Sequence, residues 1–121
     1  MTDPSLRGLR VLLAEDDPLE AIEYCDWLCD AGAVVLGPVS SVRQALSIMS
    51  REPVDVAVID FALADENSGS LQEVLEENDI PYVVVTGYPR PLIRRNKSQV
   101  ILPKPLDCVA LCASVRELCP H

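Results

Sequence analysis

The chain has 121 residues, 49% of them hydrophobic and 24% charged, with a formal net charge of −9. That length suits one domain around a single filled core, and no apolar stretch approaches the roughly 20 residues that cross a bilayer. The negative balance argues against nucleic acid as a direct partner, because phosphate backbones are bound through Lys and Arg.

The first predicted strand is the apolar run Leu9 to Ala14. Asp17-Pro18-Leu19-Glu20 then opens a helix, with Asp17 as N-cap, Pro18 at the first helical position and Glu20 as a capping-box partner. Tyr24, Trp27, Leu28 and Ala31 form its inward face at helical spacing, and Gly32 is the expected stop. Val34 to Val39 is the second strand. Ser41 and Gln44 repeat the capping pattern ahead of a second helix with Val42, Ala45, Leu46 and Met49 inward. Val54 to Ile59 is the third strand and delivers Asp60. Phe61 to Gly69 reads as loop, followed by a helix marked by Leu71, Val74 and Leu75. Pro81 to Val85 is the fourth strand, ending at Thr86-Gly87. A short helix is predicted near Pro91 to Asn96, then a brief strand from Val100 to Leu102 and a last helix from Leu106 to Leu118. Alternating strands and helices with short connections predict a parallel α/β sheet covered on both faces.

Four dispersed positions fall where strands stop: the acidic run Glu15-Asp16-Asp17, then Asp60, Thr86 and Lys104. Taken singly, each has an ordinary explanation as a cap or a turn residue. Taken in order on alternating units, they converge on one crevice, because side chains at the carboxyl ends of neighbouring parallel strands meet there. Carboxylates, a hydroxyl and an ammonium together suit a divalent metal and a phosphoryl group. Asp16 and Asp60 are candidate direct ligands for Mg²⁺, with Glu15 acting through water. Asp60 is also a candidate nucleophile; Lys104 would neutralise phosphoryl charge and Thr86 would donate a hydrogen bond.

Those segments carry a resemblance. VLLAEDDP (Val11 to Pro18), DVAVIDFAL (Asp55 to Leu63), PYVVVTGY (Pro81 to Tyr88) and ILPKPL (Ile101 to Leu106) together resemble the receiver domain of bacterial two-component response regulators. The resemblance covers the chain from Leu9 to about Leu118. It implies a flavodoxin-like, doubly wound five-stranded parallel sheet of order 2-1-3-4-5 and Mg²⁺-dependent phosphorylation by a histidine kinase or phosphotransfer protein. Carried over by position, Glu15 and Asp16 are the acidic pair and Asp60 the phosphoacceptor. Ala62 supplies a backbone carbonyl to the metal, Thr86 is the switch hydroxyl and Lys104 the phosphate-binding lysine. Lys104-Pro105 resembles the family's cis peptide.

Two features depart from the pattern or narrow it. The aromatic switch residue of the family falls on Ile101, with Tyr88 the nearest substitute. The TGYP run and the long loop after Asp60 resemble stand-alone receivers that work with HWE-type kinases. With only Pro120 and His121 after the last helix, residues 1–121 are expected to be one receiver domain with no output domain. The signal is then expected to leave through the face of the fourth helix, fifth strand and last helix, toward a downstream protein left unspecified. The chain is not expected to be an enzyme. A dehalogenase-type phosphatase would need a general acid two positions after the nucleophile, where Ala62 stands. A degenerate receiver that binds its partner without phosphorylation is a further alternative, kept open by Ile101.

The remaining features point to no second function. Met1 to Pro4 shows no charged-then-apolar leader, so a cytoplasmic location is expected and no membrane attachment. Arg90, Arg94, Arg95 and Lys97 read as a solvated helix face. The five cysteines include no C-x-x-C pair and read as reduced thiols rather than zinc ligands. Cys25 and Cys29 are placed beside the core face of the first helix, and Cys108, Cys112 and Cys119 along the last. Together they would fill a helix–helix seam open to a kinase helix pair or to a second copy as a homodimer.

Overall fold

Successive side chains of a strand point to opposite faces, so a run that is apolar at every position needs cover on both sides. A computed structural model, which describes residues 4–87 and 99–119, shows how that cover is supplied. Five strands, β1 (Arg10–Ala14), β2 (Val34–Val39), β3 (Val56–Asp60), β4 (Tyr82–Thr86) and β5 (Gln99–Pro103), form one sheet of order 2-1-3-4-5. All four pairings are parallel. The helices are α1 (Pro18–Asp30), α2 (Val42–Arg51), α3 (Gly69–Glu77) and α4 (Cys108–Leu118), preceded by a short 3₁₀ turn, Pro4–Leu6. The helix predicted near Pro91 to Asn96, the cationic cluster and Tyr88 lie outside the described residues.

The two faces divide the strands residue by residue. Val11, Leu13, Val58 and Val85 pack toward α1 and α4, with Tyr24, Leu28, Leu111 and Val115. Leu12, Ile59 and Val84 pack toward α2 and α3, with Ala45, Ile48, Leu71 and Leu75. Each fully buried aliphatic side chain of this kind stabilises the fold by roughly 1.5–3 kcal/mol. The parallel sheet covered on both faces that the apolar pattern predicts is therefore the one observed, in the flavodoxin-like order 2-1-3-4-5 that the resemblance implies.

The helix starts and stops are local chemistry. The Asp17 carboxylate accepts from the Leu19 and Glu20 N–H groups at 2.9 and 3.2 Å. At the far end of α1 the Gly32 N–H donates to Cys29 and the Ala33 N–H to Leu28, a Schellman closure with Gly32 at φ +97°. A side chain there would also meet the Arg7 backbone at 2.9 Å.

Several boundaries differ from expectation. Strands β3 and β4 continue through Asp60 and Thr86, which pair with Val85 and Pro103. Both residues are therefore held by the ladder rather than in turns. Helix α4 starts at Cys108, not Leu106, because extended Asp107 caps the Ala110 N–H at 2.8 Å. In α2, Ile48 joins Val42 and Ala45 in the core, while Leu46 and Met49 are only partly buried. The Gln44 side chain accepts from Ser40, not from the Ser41 cap. Peptide bonds Gly37–Pro38 and Lys104–Pro105 are both cis.

The segment predicted as plain loop after β3 is a built structure. Ser68 donates to the Phe61 carbonyl at 2.7 Å, and Ala64 donates to the Ser40 carbonyl at 2.9 Å. Asp65 accepts from the Val42 and Arg43 N–H groups at 2.8 and 3.2 Å, a second cap on α2 supplied from 23 residues away. A polar network behind it was also not visible in the sequence. Gln99 donates to the buried Gln72 and to the Tyr82 hydroxyl, both at 3.2 Å, and the Tyr82 hydroxyl donates to Glu76. It ties the start of β5 to α3.

Candidate functional site

The carboxyl edge of the sheet brings the predicted residues together. Glu15 and Asp16 follow β1, Asp60 ends β3, Thr86 ends β4 and Lys104 follows β5. Backbone bonds run on past the strands: Glu15 N–H to Val39, Phe61 N–H to Val85 and Lys104 N–H to Thr86, each at 2.9 Å. These bonds carry the backbone ladder on to Glu15, Phe61 and Lys104.

Asp60 is held at both oxygens. Oδ1 accepts from the Ala62 N–H at 3.3 Å, and Oδ2 accepts from Lys104 Nζ at 2.9 Å. Lys104 also reaches Glu20 at 3.0 Å and Glu15 Oε1 at 3.5 Å. Burial alone would lower the Lys104 ammonium, but its hydrogen bonds to Asp60 and Glu20 and the charges of Asp60 and Glu15 outweigh that and hold it above its usual value. It stays a cation at any physiological pH.

Glu15 is the strained member. Its side chain is 1% exposed, and burial pushes its pKa up to about 8. The Asp17 N–H, which donates to Oε2 at 3.0 Å, opposes that rise; the neighbouring Asp60 carboxylate adds to it. Oε1 is buried with no hydrogen-bond partner. Its one charged partner there is Lys104, at 3.5 Å and shared with Asp60 and Glu20, so a buried oxygen without a hydrogen bond beside two more carboxylates is costly and a further cation would relieve it.

One oxygen from each of Glu15, Asp16 and Asp60 lies within 4.8 Å of the others, the one such ligand cluster found among the described residues. An all-oxygen donor set of this kind fits a hard divalent cation and not a thiophilic one. The cluster is compatible with a bound metal ion, with Asp16 exposed toward solvent and Glu15 and Asp60 buried.

Thr86 is buried at the end of β4, next to the strand that carries Asp60. Two residues after Asp60, Ala62 forms an isolated antiparallel bridge with Asn67, which closes the loop there. Ile101 pairs with Val84 and packs, half-buried, on the α2–α3 side of the sheet. One participant was not anticipated. Glu20, expected to cap its own helix, turns instead to Lys104, and its third position in a helix gave no sign of that.

The cysteines separate by environment. Cys112 is buried, Cys25, Cys108 and Cys119 are half-buried against the α1–α4 core, and Cys29 is exposed. Cys25 Sγ and Cys29 Sγ lie 4.0 Å apart, and burial pushes the Cys25 thiol up to about 11. Cys25 and Cys29 were expected to flank the core face of α1; they lie on one side of the helix, offset by about 40°, but only Cys25 packs against the core, while Cys29, further toward the rim, is exposed. No helix among the described residues is long and apolar enough to cross a membrane.

No protein-family model matches the chain. It is 33% identical over 109 residues to the sensor protein TorS of Escherichia coli (strain K12), a match covering 84% of this chain and 12% of that protein. The chain thus spans a small part of that relative. Among solved structures, a response regulator receiver protein from Sinorhizobium medicae WSM419 superposes with a TM-score of 0.82 at 25% identity, covering 93% of this chain and 95% of that one. SdrG from Sphingomonas melonis Fr1 gives 0.78 at 28% identity, covering 92% and 96%.

Proposed function

The chain is a receiver domain of the response-regulator family, and from that premise we propose that Asp60 accepts a phosphoryl group from a phosphohistidine donor. One observation carries this above the others: Asp60 is buried at a strand end with its carboxylate fixed between Lys104 and the Glu15–Asp16 pair. A nucleophile so placed is already oriented for attack.

In the transfer, an Asp60 carboxylate oxygen forms an O–P bond as the N–P bond to the donor imidazole breaks. The imidazole leaves and takes up a proton. The transition state is loose and carries charge on the phosphoryl oxygens, so positioning and charge matter more than covalent assistance. Lys104 turns its N–H donors to those oxygens, and Thr86 supplies a hydroxyl from the adjacent strand. Mg²⁺ would be held by Glu15, Asp16, Asp60 and the Ala62 main-chain carbonyl; it supplies neutralising charge for the phosphoryl oxygens.

We place the protein as a cytoplasmic signalling module, not a hydrolase. Position 62 is Ala, so no general acid stands where a dehalogenase-type phosphatase carries one. The donor is a sensor histidine kinase or a phosphotransfer protein, in line with a relative named as a sensor protein. The test is direct: incubate with Mg²⁺ and acetyl phosphate and measure intact mass. A gain of one phosphoryl group is expected, absent in Asp60→Asn. Labelling that survives in Asp60→Asn would overturn the assignment.

A further inference from the structure

Glu20 is the third residue of α1, where a glutamate commonly turns back to the N–H of its own cap. Here that N–H is taken from the other side: Asp17 donates to Glu15 Oε2 at 3.0 Å. The Glu20 carboxylate is released from capping and swings into the site. Its Oε1 accepts from the Tyr24 hydroxyl at 2.8 Å and lies 3.0 Å from Lys104 Nζ. Tyr24 is buried one turn further along α1, so it acts as a fixed tether.

Lys104 has three N–H donors, and three carboxylates surround it: Asp60 at 2.9 Å, Glu20 at 3.0 Å and Glu15 at 3.5 Å. Glu15 and Asp60 belong to the cluster that suits a cation. Glu20 lies outside that cluster and has no other cation partner among the described residues. Its negative charge is committed to Lys104 alone.

We propose that Glu20 is a positioning residue that competes with the phosphoryl group for Lys104 and so lowers the occupancy of the phosphorylated state. The proposal rests on Asp60 being the phosphoacceptor. A phosphoryl group on Asp60 adds negative oxygens to which Lys104 must turn its donors. Glu20, tethered by Tyr24, draws the ammonium the other way and repels the arriving charge. A simple anchoring role would behave differently: the ion pair would only fasten the loop after β5 to α1, and removing it would lower thermal stability without strengthening anion binding.

The experiment is a calorimetric titration of wild type, Glu20→Gln, Glu20→Ala and Asp60→Asn with beryllium trifluoride, a phosphoryl mimic, in excess Mg²⁺. Both Glu20 variants are expected to bind about two- to fivefold more tightly than wild type, the range open to a partly exposed ion pair. The gap should narrow as salt is raised, because the competition is electrostatic. Asp60→Asn should not bind. Binding by wild type that Asp60→Asn abolishes, with both Glu20 variants equal to wild type or weaker, overturns the role of Glu20 and leaves the phosphoacceptor intact. No binding by wild type, or equal binding by Asp60→Asn, overturns both.

Discussion

Ile59 and Asp60 are neighbours on β3, almost equally hidden from water, and opposite in what they do for the molecule. Ile59 is a closed case of apolar burial among Leu12, Ala57 and Val84. Asp60 is a charge brought indoors, matched by Lys104 but crowded by Glu15 and Asp16. The sheet interior is where stability is gained; its carboxyl edge is where some is given up for chemistry. The two regions share strands, so the division is made by a single step along one chain.

Substitutions on either side of that step should differ most. Ile59→Ala is expected to lower unfolding free energy by about 2–5 kcal/mol in urea denaturation, from lost transfer energy and the cavity left behind. Asp60→Asn should stay within about 1 kcal/mol of wild type, because Lys104 keeps Glu20 and Glu15 as partners while repulsion at the edge falls. A loss in Asp60→Asn comparable to that in Ile59→Ala would erase the distinction.

Metal should act on the edge alone. At a free Mg²⁺ concentration of 100 times its dissociation constant, linkage gives about 2.7 kcal/mol of stabilisation. A rise in melting temperature is therefore expected for wild type and for Ile59→Ala alike. Asp16→Ala should abolish it at little cost to the metal-free fold, since Asp16 is exposed. A gain that persists in Asp16→Ala would place the cation elsewhere.

Much of this division was legible in the sequence because its signals are local. Apolar runs announce strands buried on both faces, Asp17 and Ser41 announce helix starts, and four chemically distinct residues at strand ends announce the site. What was missed depends on contacts between distant segments. Asp65 gives no local sign of capping a helix 23 residues away. Glu20 looked like a cap because nothing nearby shows that Glu15 would take that N–H. Gln72 lies in the core because Gln99 and Ser68 meet its amide, which periodicity does not register. Asp107 is different: an Asp three residues before Ala110 is a local cap signal, overshadowed by the Lys-Pro pair before it.

The Asp65 contact gives the next smaller effect, and it depends on pH. Hydrogen bonds from the Val42 and then the Arg43 N–H hold the Asp65 carboxyl below the usual carboxylate value. A lowered folded-state pKa contributes stability that is fully present above the ordinary value and lost as pH falls through the folded one. Wild type should therefore lose an increment of melting temperature on acidification that Asp65→Ala, already lower at neutral pH, does not lose. The two curves should converge at low pH. Curves that stay parallel would show that the carboxylate charge is not what holds the loop after Asp60 to α2.

The smallest effect is expected on the outer side of α1, where the interior rule can be tested on one residue type. Cys25 packs partly against the α1–α4 core and Cys29 faces solvent, although their sulfurs are only 4.0 Å apart. Cys29→Ser should fall within about 0.5 kcal/mol of wild type, as surface substitutions do. Cys25→Ser places a hydroxyl against apolar neighbours and should cost more, about 1 kcal/mol if that hydroxyl finds no partner. Both variants make the same exchange of sulfur for oxygen, so the contrast isolates burial from the change of atom. If Cys29→Ser proves the more damaging, the exposed sulfur has a partner in solution that covers it. Self-association measured by sedimentation would then distinguish a second copy from a change within the fold.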